Sequence, residues 1–226
     1  MNLRGLRGIC GTADLDDGAK GGIVGRFAMR GGLNLPVQSR IMHYTLLAGL
    51  LTDVVDLNLL CNPELSEDEE VMRPVAEKAD AWLSSGEDAN ARLKKEFARL
   101  FLLPGGVRPY ESVYLGRQPI LMQEPWVEVR EFYASRGWQL DDSPLPEDHA
   151  AVELSFMAHL LSGDHPSEAN AFFAEHVNRW IPDLFEDVYT NQHADFYQSV
   201  AEYGLAFLRA DSGLDEEGGS KTHERV

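Results

Sequence analysis

The chain has 226 residues, 44% of them hydrophobic, and sets 37 acidic side chains against 20 Lys and Arg for a formal charge of −17. That length supports one full core rather than two domains, and the composition is that of a folded chain. So acidic a field repels nucleic acid and anionic membrane surfaces; it either attracts cationic peptides or merely keeps the protein soluble.

Cys10 and Cys61 stand far apart with no C-x-x-C, so neither a disulfide framework nor a zinc knuckle is indicated, and a reducing compartment fits. The amino terminus lacks an apolar stretch of secretory length. The most apolar segment, "RIMHYTLLAGLLTDVVDLNLLCNP", carries Asp53 and Asp56 and ends at Pro63, which reads as a buried helix rather than a membrane span. The expected location is cytoplasmic.

Residues 1–36 are Gly-rich and aperiodic, and are expected to form a flexible extension. Their glycines do not spell a phosphate loop. From Val37 the pattern is helical. A first helix is expected over Val37 to Leu60, and a second after a Ser66/Glu69 capping box, with Pro74 inside it. "DANARLKKEFARLFLL" places Leu93, Phe97, Leu100 and Phe101 at helical spacing before Pro104-Gly105-Gly106. "YESVYLG", bracketed by Pro109 and Pro119, reads as too short for a helix. Further helices are expected over Leu121 to Arg136, from Pro146 with a core stripe of Ala150, Leu154, Met157 and Leu161, and from Pro166 up to a break at Pro182. The last, Ala194 to Arg209, aligns Phe196, Val200, Tyr203 and Phe207, and residues 211–226 read as a disordered acidic tail. The fold class is all-α: one compact helical bundle over 37–210.

The densest chemistry lies in "LPEDHAAVELSFMAHL", Leu145 to Leu160. Glu147 and Asp148 suit the first turn of a helix, where the macrodipole favours acids. His149 and Glu153 are spaced i, i+4, as two metal ligands would be, but no H-E-x-x-H or paired E-x-x-H supplies a third. No G-x-S-x-G elbow accompanies Ser155 or Ser162. No metal, cofactor or catalytic residue is assigned. Between Arg136 and Arg179 there is no Lys or Arg, whereas eight acids from Asp141 to Glu175 fall there. Such a one-sign segment beside Trp138, Leu140 and Leu145 either forms a solvated face or complements adjacent arginines next to a short apolar helix, with Asp148 a sensible anchor for an arginine fork.

Three blocks in order carry a resemblance over roughly Ile41 to Leu208. These are "RLFLLPGGVRPYESVYLG", "LPEDHAAVELSFMAHLL" and "EHVNRWIPDLFEDVYTNQHADFYQSVAEYGLAFL". The chain resembles the TorD/DmsD family of redox-enzyme maturation chaperones, which is related to nitrate reductase assembly chaperones. That resemblance implies an all-helical, non-enzymatic cytoplasmic chaperone. Its partners would be the twin-arginine leader and the apo catalytic subunit of a molybdenum-cofactor oxidoreductase, held back from export until the cofactor is inserted. The peptide-binding residues it implies are Leu100, Phe101, Tyr110, Ser112, Tyr114, Glu147, Asp148 and His149. Asp148 and His149 are expected at the rim of a leader groove, although His149 alternatively only satisfies a buried hydrogen bond. An assembly factor gripping the folded body of a nitrate-reductase-type subunit is the second reading, and a helical metal-dependent enzyme using His149 and Glu153 the third. Prolines near positions 104 and 144 would permit a helix-swapped dimer as well as a monomer. The chain departs from the family pattern at Glu111, where a small residue is usual, and at Ala98, with Phe97 one place earlier than the usual aromatic.

Overall fold

The computed structural model describes residues 35–61, 69–140, 143–163 and 166–219. Ten helices lie in them: α1 (Val37–Thr52), α2 (Leu57–Leu60), α3 (Glu69–Leu83), α4 (Ala89–Phe97), α5 (Glu111–Leu115), α6 (Glu124–Ser135), α7 (Ala150–Ser162), α8 (Pro166–Phe172), α9 (Asn178–Thr190) and α10 (Phe196–Gly219). Two π-helical turns interrupt this pattern. Ala98–Leu102 prolongs α4, and Phe173–Val177 joins α8 to α9. No strand occurs among the described residues, so the chain is all-α as its periodicity predicts. The extension up to Asn34, Ser66 of the capping box and residues 220–226 of the tail lie outside the described residues.

α7 occupies the centre because its sequence leaves it almost no polar face. Only Ser155, His159 and Ser162 of its 13 residues are exposed. A helix apolar nearly all round must be surrounded, and α1 packs along it. The expected stripe of Ala150, Leu154, Met157 and Leu161 is buried, and so are Phe156 and Leu160 beside it. α10 lies against α9, α3 and α1 and buries Phe196, Val200, Tyr203 and Phe207 completely. Polar groups lock these helices in register. Asp211 of α10 accepts from Tyr44 Oη at 2.6 Å and Arg40 Nη2 at 3.0 Å, both on α1. Glu96, buried near the end of α4, accepts from the backbone N–H groups of Asp195 (2.8 Å), Phe196 (3.2 Å) and Tyr197 (2.8 Å). It thereby satisfies the otherwise orphaned donors at the start of α10.

Several element boundaries differ from those the sequence predicts. The first helix stops at Thr52 rather than Leu60, because two aspartates bond to the nearby backbone. Asp53 accepts from Val54 N–H at 2.6 Å and Asp56 caps α2 through Asn58 N–H at 3.0 Å. "YESVYLG" does form a helix, the single turn α5. α6 begins at Glu124, not Leu121. Pro146 is not a first helical residue: it closes a turn in which its carbonyl accepts from His149 N–H at 3.1 Å, and α7 starts only at Ala150. Pro182 stands inside α9 without ending it. α10 continues to Gly219, beyond the residue where the tail is expected.

Gly204 marks the close crossing of α10 and α9. A Cβ there would lie well inside van der Waals contact of the Phe185 ring, itself fully buried. Gly→Ala within a helix ordinarily stabilises by about 1 kcal/mol. Gly204→Ala is expected to reverse that sign and destabilise by about 1–3 kcal/mol, measured by denaturant unfolding, because the ring has no room to yield.

Candidate functional site

The three sequence blocks meet in one place. Segment 109–112 and segment 148–150 lie antiparallel: Glu111 N–H donates to Asp148 O at 2.8 Å and Ala150 N–H to Pro109 O at 2.9 Å, bridging Tyr110 and His149. Side chains repeat the connection. Asp148 Oδ2 accepts from Ser112 Oγ at 2.5 Å and Ser112 N–H at 3.1 Å, and the Tyr110 ring stands edge-on to His149 with centroids 5.0 Å apart. His149 is the N-cap of α7, its Nδ1 accepting from Ala151 N–H at 3.1 Å.

The third block joins from α9 and the turn before it. His176 Nδ1 lies 3.2 Å from both carboxylate oxygens of Glu111, and Trp180 Nε1 donates to Glu153 Oε2 at 3.0 Å. Tyr114 stacks tilted on Trp180 and donates to Asp187 at 2.8 Å. Glu111, the departure from the family pattern, is thus the buried partner of the histidine in "EHVNRW". Glu147 turns the other way, to α6. It accepts from Trp126 Nε1 at 2.8 Å and pairs with Arg130 at 3.1 Å.

The eight residues singled out from sequence divide into two sets. Leu100, Ser112, Asp148 and His149 are buried, with Asp148 at 0% and His149 at 4% exposure. Phe101, Tyr110, Tyr114 and Glu147 are half-buried and reach the surface. Asp148 and His149 are therefore buried rather than set at a rim, and the hydrogen bond that His149 accepts from Ala151 N–H is a buried one. The His149 Nδ1 is engaged by the helix cap, and among the described residues no group of three His, Cys, Asp or Glu is placed to hold an ion.

The arginine-free stretch also resolves differently from a surface field. Asp148 and Glu153 are interior, Glu147 pairs with Arg130 of α6, and Glu168 pairs with Arg136 at the end of α6 at 3.4 Å, so cations from outside the stretch serve these two acids. Asp141, Asp142 and Asp164 lie outside the described residues. A row of exposed carboxylates without an ion pair stands on α6 itself, at Glu124, Glu128 and Glu131, and Glu175 of the arginine-free stretch lies across a groove of about 620 Å³ from the last two. Interleaving with Arg130 hid that row, but its i, i+4, i+7 spacing is readable in "EPWVEVREFY".

Burial pushes the carboxyls of Glu111, Asp148 and Glu153 upward, Glu153 well above the usual range; Asp148 adds its field to the cost of ionising Glu111, both add theirs to that of Glu153, and Glu147 adds its own to that of Asp148. Hydrogen bonds from His176, Ser112 and Trp180 respectively oppose this. Asp148 Oδ1 and Glu153 Oε1 are buried with no donor facing them, a setting that favours a proton over a charge. Desolvation pushes His149 the other way, down to about 4, so it is neutral at pH 7 and free to cap.

These shifts have opposite consequences. The three carboxyls bind protons more tightly folded than unfolded, so the stability they confer is complete below the usual carboxylate range and is lost as pH rises through their folded values. His149 contributes stability that is complete above its ordinary 6.5 and is lost as pH falls through about 4. Glu153→Gln is expected to raise the melting temperature at pH 8 and flatten its decline with rising pH, with little change near pH 4.5. His149→Ala should cost about 0.5–2 kcal/mol at pH 7 through the lost cap, and His149→Asn should restore most of it while removing the acid-side loss.

The family model described as "Nitrate reductase delta subunit" matches residues 64–186. A protein from Vibrio parahaemolyticus serotype O3:K6 named chaperone protein TorD is 32% identical over 164 residues, covering 66% of this chain and 76% of its own. A protein of the same name from Vibrio cholerae serotype O1 is 28% identical over 175 residues, covering 70% and 79%. In fold, the chain is similar to a crystal structure described as a redox enzyme maturation protein from Archaeoglobus fulgidus, with a TM-score of 0.53 over 81% of this chain and 99% of that one at 17% identity. With the matched region spanning all of the hydrogen-bonded cluster from Tyr110 to Trp180, the chain belongs to the TorD and nitrate reductase delta subunit family of redox-enzyme maturation chaperones, and is a chaperone rather than an enzyme.

Proposed function

We propose that this chaperone acts in the cytoplasm on a molybdenum-cofactor oxidoreductase. It binds the twin-arginine leader together with the apo catalytic subunit and delays export until the cofactor is inserted. One observation carries the reading. Of the eight large apolar side chains that stand exposed among the described residues, six lie between positions 102 and 127: Leu102, Leu103, Ile120, Leu121, Met122 and Val127. Apolar surface gathered on two connections and one helix face, on an acidic chain, suits an apolar segment that carries cations. Phe101, Tyr110, Tyr114 and Glu147 are the members of the resemblance set that a peptide can touch. Leu100, Ser112, Asp148 and His149 hold the segments that carry them. No helix among the described residues is long and apolar enough to cross a membrane.

The second reading, an assembly factor that grips only the folded body of its subunit, is favoured by the family description, which is that of a nitrate reductase subunit. Calorimetric titration separates the two, using synthetic twin-arginine leaders from molybdoenzyme subunits of the same organism and Arg-Arg→Ala-Ala versions as controls. Saturable binding lost with the control supports leader recognition. No binding to any leader, with binding to the cofactor-free subunit, supports the second reading. Asp148→Asn should weaken leader binding several-fold with the helical signal unchanged, by loosening segment 109–112; full affinity in that variant would remove Asp148 from any part in the site.

A further inference from the structure

The loop between α5 and α6 is built to hold apolar side chains in water. The Gln123 side-chain amide reaches back to Ser112 O at 3.1 Å, Ile120 O at 2.8 Å and Gln118 O. Gly116 leaves room for it, since a Cβ there would collide with the Gln123 amide. Arg108 braces the loop from the other side by donating to Pro119 O at 2.8 Å. Met122 sits at φ 57°, a backbone region that side-chain-bearing residues rarely adopt. The product of these contacts is a set of exposed apolar groups, with Ile120 at 52%, Leu121 at 43% and Met122 at 59% exposure. Apolar groups gain by leaving water, so a loop tied down in this way with its apolar face outward is a surface awaiting an occupant.

The loop runs directly into α6, whose outer face continues the surface as Glu124, Val127, Glu128 and Glu131. The last two line the groove that α6 forms with the turn before α9 and with Arg179 of α9 itself, where Glu175 faces them. Its cations are Arg136, which is paired with Glu168 and stacked on Phe132, and Arg179. The groove therefore holds three carboxylates without an ion pair against Arg179, while Asp148 is sealed in the interior. From Glu124 to Glu131 is about 10 Å along the helix, roughly two turns of a bound helix lying alongside.

We propose that this face seats the client segment in one direction, its arginines in the groove at Glu128, Glu131 and Glu175, and its apolar helix over Val127 and the Ile120–Met122 loop. The proposal rests on the leader reading above and names its receptor surface. Paired arginines match three groove carboxylates that Arg179 alone cannot balance, and the adjoining apolar turns cover the side chains that the Gln123 tether holds exposed.

A double-mutant cycle by calorimetry at low salt tests it on the full chain. The protein variants are Ile120→Ser with Leu121→Ser, and Glu128→Gln with Glu131→Gln. The peptides are a twin-arginine leader, its Ala-Ala form, and a form with two leucines of the apolar segment changed to serine. All four substitutions are on the surface and should leave the melting temperature unchanged. The loop variant should lose at least about tenfold in affinity for the leader, and the groove variant about three- to tenfold with a shallower salt dependence. The loop variant should lose nothing further with the serine peptide, nor the groove variant with the Ala-Ala peptide, while crossed combinations multiply. Wild-type affinity in both variants, or losses that multiply in the matched pairs, overturns the placement and leaves the leader reading standing. A wild-type chain that binds no leader overturns both.

Discussion

Asp148 reaching Ser112 is the contact on which the rest of this surface depends. One buried carboxylate oxygen accepts from both the hydroxyl and the backbone N–H of Ser112, and two main-chain hydrogen bonds run alongside. The contact sets the start of α5 and the cap of α7 in the same few ångströms. From there the chain is committed. α5 ends against Gln123, Gln123 holds the apolar loop, and the loop delivers the first turn of α6. Remove the pairing and Ser112 N–H is left buried and unsatisfied, which costs roughly 1–3 kcal/mol before any packing is lost.

Around that contact the chain concentrates groups that a core usually avoids. Glu111, Asp148 and Glu153 lie together with His176, each with a single partner from another sequence block. Low dielectric makes such partnerships exclusive, because an unpaired carboxylate has no water to fall back on. The arrangement specifies how α5, α7 and α9 meet more sharply than apolar packing alone would. It also leaves two carboxyl oxygens, Asp148 Oδ1 and Glu153 Oε1, buried without donors.

The π turns belong to the same logic. The one at Ala98–Leu102 buries Leu100 while turning Leu102 and Leu103 outward, and the one at Phe173–Val177 turns His176 inward to Glu111 and Glu175 outward to the groove. Both turns fall within or just before the blocks that mark the family, which ties the motifs to geometry rather than to chemistry.

The sequence by itself determined the all-helical class, the order of the long helices and most of the core. Stripes such as Phe196, Val200, Tyr203 and Phe207 follow from a local period that needs no distant partner. It also located the motif that matters, since "PEDH" ahead of an apolar helix is a cap signal with charges to account for. Short-range rules failed where a boundary is set from afar. α5 exists because Asp148, 36 residues on, holds Ser112, and Pro146 starts no helix because His149 takes the cap. Only the tertiary structure decided which acids are buried, which are paired and which are free. Charge counts along a chain cannot distinguish Asp148, sealed inside, from Glu128, open to solvent, because solvation depends on what other elements pack against each group. For that reason Glu147 and Glu168 of the stretch without arginines proved to be paired with Arg130 of α6 and Arg136 at its end, while a row of unpaired carboxylates lay on α6 itself.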